Sequence, residues 1–582
     1  MSIHDTYLHL LREWTDALLS LMVSDPAHPS LDGGILCPSC TLIHGRCHEA
    51  VYPFLAMADF SGEDRYLEGA RKLFAWSETM LCDDGSLYND SQNPWNGTTV
   101  FSALSLYRAL RYHGQLLEKE EKALWEERLY RLSLWLLEGI TPEKAFNINY
   151  IAANASAMAR LGRYFNHPEM LRMAKCLADF ALEHITGSGL VYGEGSLERN
   201  ATPRGGCAVD IGYNVEETLP SLWDYTVSEH DGNAMDLVRR AVRAHLNLML
   251  PDGAWDNSFG TRNFKWTYWG SRTADGCQAM LNSLGREDPV FAEAAYRNLL
   301  LYRRCTDGLL YGGPHLKRHG ELPCAHHAFC HAKVLAQALD EGITEFSRVP
   351  LPSDTFRGIR YDPEIGTCTL ARGDWIMTMC TGDFPYMKGG HASGGAVTLL
   401  WHRFYGPVFA AANTDLSRKE PTNQQLSRKK KALGSLCPRL ECAENGTVYA
   451  QVYDFSASLV REDFPDRSVV HVRGMLCDPD HRPAPVGYTF HLSYTLSDQC
   501  LSVKGRTDTA SRLILPVICT AGHEPVRERG SVVFDECLRI RSFPSPEIHG
   551  AVFSLAPGFE AVNLCVSPAR DGSLDVTISL VD

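Results

Sequence analysis

The sequence lacks several features that would each assign it to a broad class of protein. No apolar run approaches the ~18 residues of a membrane-spanning helix, so no membrane contact is expected. A Walker loop, a complete G-x-G-x-x-G, a G-x-S-x-G elbow and an H-E-x-x-H pair are also missing. The sequence therefore gives no sign of the nucleotide-binding, serine-hydrolase or zinc-protease classes that carry these motifs.

An excess of basic residues is missing as well. The 582 residues include 56 Lys and Arg against 70 Asp and Glu, which gives a formal net charge of −14. A chain of this charge does not offer a general surface for polyanions, so nucleic acid is not expected as a partner. An acidic substrate would have to be bound by a local basic pocket. The basic run at 428–431 is typical of a solvated loop.

The N-terminus lacks the uninterrupted apolar segment of a signal peptide. The stretch MSIHDTYLHLLREWTDALLSLMV carries His, Asp, Arg and Glu, and it has the pattern of an amphipathic helix. The 19 cysteines follow no regular framework. Together these features predict reduced thiols in a cytoplasmic protein, although removal of a leader would leave the same sequence.

The pattern of the chain changes near residue 345. Before this point, helical patterns recur in pairs of similar length, among them Ile151–Phe165 and Val215–Ser228. This recurrence favours an (α/α) toroid with its loops around a cleft at one end. After Phe356 the pattern alternates and is rich in β-branched residues, as in an antiparallel sheet protein. We therefore predict a helical domain at 1–346, a linker at 347–358 and a sheet domain at 359–582. All 11 tryptophans lie at or before Trp401, so ligand stacking is expected mostly in the helical domain.

One glycine-punctuated segment, DNSFGTRNFKWTYWGSRTADG at 256–276, has neither a helical nor a strand period. It combines three aromatic rings and three cations: Trp266, Tyr268, Trp269, Arg262, Lys265 and Arg272. Flat apolar faces beside anion donors suit an acidic sugar, whose ring stacks on an indole while its carboxylate binds a guanidinium. We predict that Arg262, Arg272 and the three aromatic rings bind substrate. The alternative is an aromatic core loop with surface arginines.

Three other stretches are candidates for catalysis. Asn149 stands at the start of a helical run, where it either caps the helix or directs its amide into the cleft. Tyr213 opens another helix in DIGYNVEE, where its phenol either exchanges protons or fills a helix junction. His391 lies between four glycines in KGGHASGG, and a histidine in such a loop has few packing neighbours and suits acid–base work.

Four further residues are predicted to line the cleft, namely Trp95, His44, Arg46 and His327. Cys37 and Cys40, followed by His44 and His48, make half of a zinc signature. The second half is missing at the normal spacing, so we expect no metal.

These features resemble those of the heparinase II/III-like polysaccharide lyases, which place an Asn before one toroid helix, a Tyr at a later one and a Gly-His loop early in the sheet domain. The resemblance implies an N-terminal incomplete (α/α) toroid or barrel followed by a C-terminal antiparallel β-sandwich. It assigns carboxylate neutralisation to Asn149, proton transfer to Tyr213 and a role at the same carbon to His391. The architecture covers nearly the whole chain, and the motifs cover three short stretches.

Two departures from the family pattern stand out. Many such lyases carry a Tyr-His pair, whereas Tyr213 is followed by Asn214. Many also contain a His-x-His-x-Asp run that binds a structural metal, whereas this chain reads HASGG after Gly390. The subfamily is therefore left open, and neither a metal nor another cofactor is expected.

The resemblance implies a lyase that cleaves uronate-containing glycans by β-elimination and leaves a 4,5-unsaturated uronate. The expected partner is an acidic oligo- or polysaccharide, while the sulfation of the substrate, endo or exo action, assembly into a homo-oligomer and the division of acid and base roles stay open. One alternative is an α/α-barrel glycoside hydrolase, which needs two carboxylates. The candidates for such a pair are Asp210, Glu216, Glu217 and Asp256. A non-catalytic glycan-binding protein is the second alternative.

Overall fold

The computed structural model describes residues 2–90, 94–384, 392–411 and 435–581. The N-terminal region is helical, as predicted. None of the helices within these described ranges is both long and apolar enough to cross a membrane. The helices are α1 (Ile3–Ser20), α2 (Val51–Ser61), α3 (Asp64–Trp76), α4 (Thr99–His113), α5 (Lys119–Gly139), α6 (Ile148–Tyr164), α7 (Pro168–Leu182), α8 (Ile211–Tyr213), α9 (Leu219–Glu229), α10 (Gly232–Leu246), α11 (Gln278–Gly285), α12 (Pro289–Arg304), α13 (Ala325–Glu341) and α14 (Pro352–Thr355).

Of the described helices, six form the inner ring of a toroid. In order around the ring they are α2, α4, α6, α9, α11 and α13, and α13 contacts α2. The inner helices α6 and α13 are buried on almost every side. Outer helices such as α10 are buried along one face, because their apolar residues recur with the helical period. The predicted (α/α) toroid is confirmed.

The inner helices run in the same direction, so their N-termini meet at one end of the toroid. At this end, the side-chain amide of Asn149, in the first turn of α6, lies 2.5 Å from the carboxylate of Glu217. Glu217 lies two residues before the start of α9. At the other end Asp224, within α9, contacts Arg108 of α4 and Arg160 of α6 at 3.4 and 2.5 Å. The positive ends of the helix dipoles therefore converge on one side, which favours an anionic ligand there.

The C-terminal region is built from strands, and two short hairpins lie in the helical region. The strands are β1 (Trp266–Thr267), β2 (Gly270–Ser271), β3 (Thr306–Asp307), β4 (Leu309–Leu310), β5 (Gly358–Asp362), β6 (Thr367–Arg372), β7 (Trp375–Cys380), β8 (Ala396–His402), β9 (Gly406–Ala410), β10 (Arg439–Glu444), β11 (Thr447–Ala450), β12 (Ser458–Asp463), β13 (Arg467–Met475), β14 (Thr489–Ser497), β15 (Cys500–Thr507), β16 (Arg512–Ile518), β17 (Val526–Glu528), β18 (Ser531–Phe534), β19 (Leu538–Phe543), β20 (Glu547–Ser554), β21 (Phe559–Val566) and β22 (Ser573–Leu580).

The described strands of this region form three antiparallel sheets. Their strand orders are β5-β6-β7-β8-β9, β12-β13-β14-β15-β22-β19-β18-β17 and β11-β10-β16-β21-β20. The eight-stranded sheet buries alternate residues, as in β14, where Phe490, Leu492, Tyr494 and Leu496 face the core. The predicted antiparallel β-sandwich is confirmed.

The first sheet is buried on both faces. In β7, Trp375, Met377 and Met379 pack into the sandwich core, whereas Ile376 and Cys380 pack against the helical domain. This double burial explains why the sequence of β7, WIMTMC, shows no polar alternation. The sheet therefore fixes the sandwich against the toroid. The predicted linker at 347–358 contains α14.

Candidate active site

Asp210 positions the segment that carries Tyr213. Its carboxylate accepts hydrogen bonds from the backbone N–H of Tyr213 at 3.1 Å and from that of Arg262 at 2.8 Å. The side-chain amide of Asn257 donates to both carboxylate oxygens at 3.1 Å. Because Asp210 caps the helix, α8 begins before the start predicted at Val215, and Tyr213 lies in its first turn. One carboxylate thus orients two predicted site residues.

A π-helical turn at 214–218 joins α8 to α9. Such turns recur at functional sites, because they displace side chains from the regular helical positions. Glu216 accepts hydrogen bonds from the backbone N–H of Ser271 at 2.8 Å and from the hydroxyl of Tyr302 at 3.2 Å. Its neighbour Glu217 faces Asn149 instead. Two adjacent buried carboxylates are therefore held by different partners.

Tyr213 lies in a buried, cation-rich environment and is 4% exposed. Its hydroxyl lies 2.6 Å from the hydroxyl of Thr273, and the guanidinium of Arg262 lies 4.2 Å from the centre of its ring. A cation over the ring face stabilises a phenol that gains negative charge. The geometry suits a tyrosine that gives or takes a proton.

Glu194 links Arg262 to Asn149. It accepts a hydrogen bond from Arg262 Nη1 at 3.0 Å and one from the backbone N–H of Asn149 at 3.2 Å. Burial raises the pKa of Glu194 to about 7, although Arg262 opposes the shift. The glycines on either side of Glu194, Gly193 and Gly195, have φ of 123° and 106°, which a residue with a side chain rarely adopts.

Asn149 is part of α6 rather than its cap. The helix begins at Ile148, and the capping position is occupied by Asn147, whose side chain accepts from the N–H of Gly195. The amide of Asn149 donates to Glu217 at 2.5 Å. Its Oδ1 is buried and has no hydrogen-bond partner among the described residues. Burial, reinforced by a nearby carboxylate, raises the pKa of Glu217 to about 8.

Arg46 is connected to Tyr213 through Thr273. It is 3% exposed and binds the carboxylate of Glu49 through Nε at 2.5 Å and Nη2 at 3.1 Å. Its Nη1 donates to the backbone carbonyl of Thr273 at 2.9 Å. Since Thr273 is also the partner of the Tyr213 hydroxyl, Thr273 connects Arg46 to Tyr213.

Arg272 differs from Arg46 because its donors are not saturated. It is 2% exposed, and its Nη2 donates to the carbonyl of Phe264 at 2.9 Å. Its Nε and Nη1 atoms are buried without a hydrogen-bond partner in the described part of the chain. Burial lowers the pKa of Arg272. Because an unsatisfied buried donor costs free energy, these two N–H groups are suited to an anionic ligand.

The aromatic rings of 256–276 pack between the two domains. Trp266 and Tyr268 are each 2% exposed and Trp269 is 7% exposed. The backbone N–H of Tyr268 donates to Pro557 O, and the rings of Tyr268 and Trp269 lie 5.5 and 5.0 Å from that of Phe559. This arrangement favours the core-loop alternative for these three rings, and stacking of a sugar on them stays a prediction.

Trp95 is the candidate aromatic residue that stays partly exposed. Its ring lies perpendicular to that of Tyr150, with 5.8 Å between the centres.

The ring of His44 lies 4.7 Å from that of His326. His327 is 1% exposed and packs edge-on to His331. The structure thus places His326, rather than His327, next to His44.

His391 lies outside the described residues. The chain is described up to Phe384 and again from Ala392. Phe384 lines a cavity of about 180 Å³ together with Val209 and Thr261, which directly precede Asp210 and Arg262. Phe384 therefore lies close to the residues that precede Asp210 and Arg262.

Sequence reasoning missed two site residues and assigned a third to another role. Glu194 was missed, although a Glu between two glycines is a recognisable loop signal. Thr273 was missed because nothing local marks it. Asp210 was a candidate for a hydrolase pair, whereas its oxygens accept from two backbone N–H groups and Asn257. The pattern of an Asp three residues before Tyr213 is that of an N-cap, which would have identified its role.

Comparison with known proteins identifies similarities that extend over most of the chain. Residues 11–352 match the family model described as ulvan lyase N-terminal domain, and residues 359–581 match the ulvan lyase C-terminal domain. A broad-specificity ulvan lyase of Formosa agariphila is 33% identical over 584 aligned positions, which cover 95% of this chain and 90% of the relative.

Solved structures share the fold at low identity. A heparan sulfate lyase mutant of Pedobacter heparinus aligns with a TM-score of 0.51 at 11% identity, over 98% of this chain and 83% of that one. A chondroitin AC lyase of Streptomyces coelicolor A3 aligns with a TM-score of 0.55 at 10% identity, over 99% and 79%. The resemblance to toroid-and-sandwich polysaccharide lyases is confirmed. The chain belongs to the ulvan lyase family.

Proposed function

We propose that this polysaccharide lyase cleaves ulvan or a related uronate-containing glycan by β-elimination, with Tyr213 as the proton-transferring residue. The observation that carries the proposal is the environment of Tyr213. Its hydroxyl is held by Thr273 at 2.6 Å, and its ring lies under the guanidinium of Arg262 at 4.2 Å. The family match supports the same reaction class.

The reaction begins at C5 of a uronate, whose proton is barely acidic while the neighbouring carboxylate keeps its full charge. Donors that bind this carboxylate stabilise the negative charge that develops when the proton leaves. Arg272 has two buried N–H donors available for that task within the described residues. The converging N-termini of the inner helices add positive potential on the same side.

Asn149 and Glu217 act as a unit in this proposal. The amide nitrogen of Asn149 lies 2.5 Å from Glu217 Oε2, while Asn149 Oδ1 has no hydrogen-bond partner among the described residues. A Glu217 whose pKa is raised to about 8 stays protonated near neutrality and can donate to the amide oxygen after rotation of the Asn149 side chain. The amide NH2 of Asn149 is then directed to the substrate carboxylate.

Tyr213 removes the C5 proton, donates a proton to the leaving glycosidic oxygen, or does both in sequence. His391 is the proposed partner at the same carbon. The product keeps a double bond between C4 and C5. Proton transfer by a positioned side chain typically contributes about 10²–10⁴-fold to a rate, which fixes the size of effect that its removal should have.

The hydrolase alternative is not favoured. It requires one protonated and one ionised carboxylate facing the glycosidic bond. Asp210 is engaged by backbone N–H groups, and Glu216 by Ser271 and Tyr302. Asp256 accepts from the hydroxyl of Thr378 at 2.6 Å. These three carboxylates therefore hold the loops in place.

The proposed substrate is acidic, and ulvan is the first candidate because the relative from Formosa agariphila is an ulvan lyase. Cleavage of other uronate glycans and a cytoplasmic location stay predictions. The proposed binding surface comprises Arg262, Arg272, Asn149 and Trp95 from the toroid.

The test is incubation with ulvan, chondroitin, heparan sulfate and a neutral glycan, followed by near-ultraviolet absorbance. An unsaturated uronate absorbs there and the products of hydrolysis do not. We expect absorbance to rise with ulvan and not with the neutral glycan. New reducing ends without absorbance would show hydrolysis instead. Binding of ulvan without either signal would show a non-catalytic protein.

His391 is tested in the same assay. His391→Ala should lower turnover severely and leave the melting temperature of the protein nearly unchanged, because a glycine-rich loop has little packing to lose. Unfolding of the variant would assign His391 a structural role. Full activity would remove it from the mechanism while leaving the lyase activity itself in place.

A further inference from the structure

Three thiols from distant parts of the sequence converge beside the cleft. Sγ of Cys324, at the N-cap of α13, lies 3.8 Å from Sγ of Cys37 and 4.0 Å from Sγ of Cys40. The three sulfur atoms all lie within 4.8 Å of one another. Cys37 and Cys324 are buried and Cys40 is partly exposed. The cluster joins the loop before α2 to the last helix of the inner ring.

The separations of the thiols fit one ion bound between them. In a tetrahedral zinc site with Zn–S bonds of about 2.3 Å, two ligand sulfur atoms lie about 3.8 Å apart. A disulfide instead needs two sulfur atoms at about 2.05 Å, and it leaves the third thiol without a role. The observed distances of 3.8 and 4.0 Å therefore match shared coordination.

The backbone around Cys37 supports a thiolate. Its sulfur accepts hydrogen bonds from the backbone N–H of Cys40 at 3.5 Å and from that of Ala325 at 3.4 Å. Ala325 is the first residue of α13, so the positive end of that helix also faces the sulfur atoms. Both features favour the deprotonated form that binds metal.

His44 is the candidate for a fourth ligand, beside the three cysteines whose sulfur atoms form the cluster. Its Nδ1 is hydrogen-bonded to the carboxylate of Asp90 at 2.7 Å, while its Nε2 is buried without a hydrogen-bond partner among the described residues. The ring interacts with the thiols of Cys37 and Cys40 and is 5% exposed. A carboxylate that holds one ring nitrogen while the other binds the metal is the usual arrangement of a zinc-binding histidine.

We propose that Cys37, Cys40, His44 and Cys324 bind a structural zinc ion that closes the toroid. Cys37 and Cys40 come from the C-P-S-C turn, and His44 comes from the loop that follows this turn. Cys324 comes from the other end of the helical domain. Four protein ligands leave no open position, so the ion ties the loop to α13 rather than taking part in the elimination.

This inference replaces the metal-free expectation drawn from the sequence. The spacing of Cys37 and Cys40 provided half of a zinc signature, and the missing half lies near the end of the helical domain. The proposed site uses His44 and not His48, the other histidine that follows Cys37 and Cys40 in the sequence. His48 is fully buried and its ring faces Phe74, with 6.4 Å between the ring centres.

The first experiment measures metal on the full-length protein. Elemental analysis after purification without chelator should give one zinc per chain. Removal of zinc and titration with Co²⁺ should produce thiolate-to-cobalt charge-transfer bands and the visible bands of a tetrahedral site. Apoprotein that binds neither Zn²⁺ nor Co²⁺ would overturn the proposal, as would loss of two titratable thiols to a disulfide.

The second experiment tests the ligands. Cys40→Ser should lose the bound zinc and the cobalt charge-transfer bands, and it should lower the melting temperature of the protein. Cys82→Ser is the matched control, since Cys82 is also partly exposed but lies outside the cluster, and it should keep both. His44→Cys should retain zinc with an additional thiolate band. Unchanged zinc content in Cys40→Ser and Cys324→Ser would contradict the assignment.

Discussion

The two ends of the toroid both hold buried arginines and carboxylates, but they satisfy them differently. At the C-terminal end of the inner helices, Asp224 contacts Arg108 and Arg160 and accepts from Ser156 at 2.6 Å. Burial opposes its ionisation, yet the two arginines lower the pKa of Asp224 to about 2. At the N-terminal end, burial raises the pKa of Glu217 to about 8.

The difference distinguishes charged groups that stabilise the fold from charged groups that are available for catalysis. The Asp224 cluster pairs its charges within the protein, which stabilises the native state. The Tyr213 end keeps a carboxyl protonated near neutrality and leaves two N–H groups of Arg272 without partners in the described residues. Strongly shifted groups and unsatisfied donors in one cleft are typical of an active site.

The largest effect should follow from Tyr213→Phe. Turnover on the uronate glycan should fall about 10²–10⁴-fold, because the proton-transferring hydroxyl is lost. Its control is Tyr225→Phe, which alters a buried tyrosine of α9 away from the cleft and should keep full turnover. Steady-state kinetics of both variants decide the matter. Equal activity of Tyr213→Phe and the parent would remove Tyr213 from the mechanism.

Arg272→Lys should have the next largest effect. A charge-assisted hydrogen bond contributes about 1.5–3 kcal/mol, so kcat/KM should fall by about one to two powers of ten. Lysine does not restore it, because an ammonium keeps the charge but loses the planar fork. A fall in kcat itself would locate the contact in the transition state, whereas a rise in KM alone would locate it in the ground state.

Arg160→Lys, at the opposite end of the toroid, is the control for this substitution and should leave kcat/KM unchanged. Kinetics of Arg272→Lys that match those of Arg160→Lys would assign Arg272 to packing.

Glu217→Gln should change the pH dependence of stability. The folded-state pKa of Glu217, about 8, lies above the ordinary value of 4.5, so the folded state binds more protons between these values. This contribution to the free energy of unfolding is fully present below pH 4.5 and is lost as the pH rises to 8. Melting curves should show a smaller decline from pH 5 to 8 in the variant. An identical decline would contradict the shift.

Asp224→Asn should have the smallest effect on turnover and a clear effect on stability. Removing one partner of a fully buried pair costs roughly 3–5 kcal/mol, and a smaller loss is expected here because Arg160 is partly exposed. The pKa of Asp224, about 2, lies below the ordinary 3.8, so its stabilisation is lost as the pH falls through these values. The difference in melting temperature should therefore narrow below pH 4.

Local periodicity made the helices predictable. The segment predicted as Ile151–Phe165 is α6 at Ile148–Tyr164, because alanines and other small residues bury nearly all of its surface. The start predicted at Val215 was late, since Asp210 caps α8 and a π-helical turn follows. A cap and a π-helical turn change one or two hydrogen bonds, which the hydrophobic pattern does not record.

The composition of the loop at 256–276 does not predict which of its side chains the sandwich domain covers. The arginines and aromatic rings of the loop are interleaved in sequence, but Arg272 donates to Phe264 within the loop while Tyr268 and Trp269 pack on Phe559 of the sandwich. A side chain's exposure in such a loop depends on the domain that covers it. The sequence of one domain does not contain that information.

The sequence by itself determined the order of the domains, the helical and strand periods and the candidates Tyr213 and Asn149, because each depends on residues close together in the chain. Tertiary structure decided which groups meet. It brought Glu194 to Arg262, Thr273 to Tyr213 and Cys324 to Cys37, which lie 68, 60 and 287 residues apart in the chain. Burial at the N-terminal end of the inner ring of helices raises the pKa of Glu194 and Glu217, whereas Arg160 and Arg108 outweigh burial and lower the pKa of Asp224 at the other end.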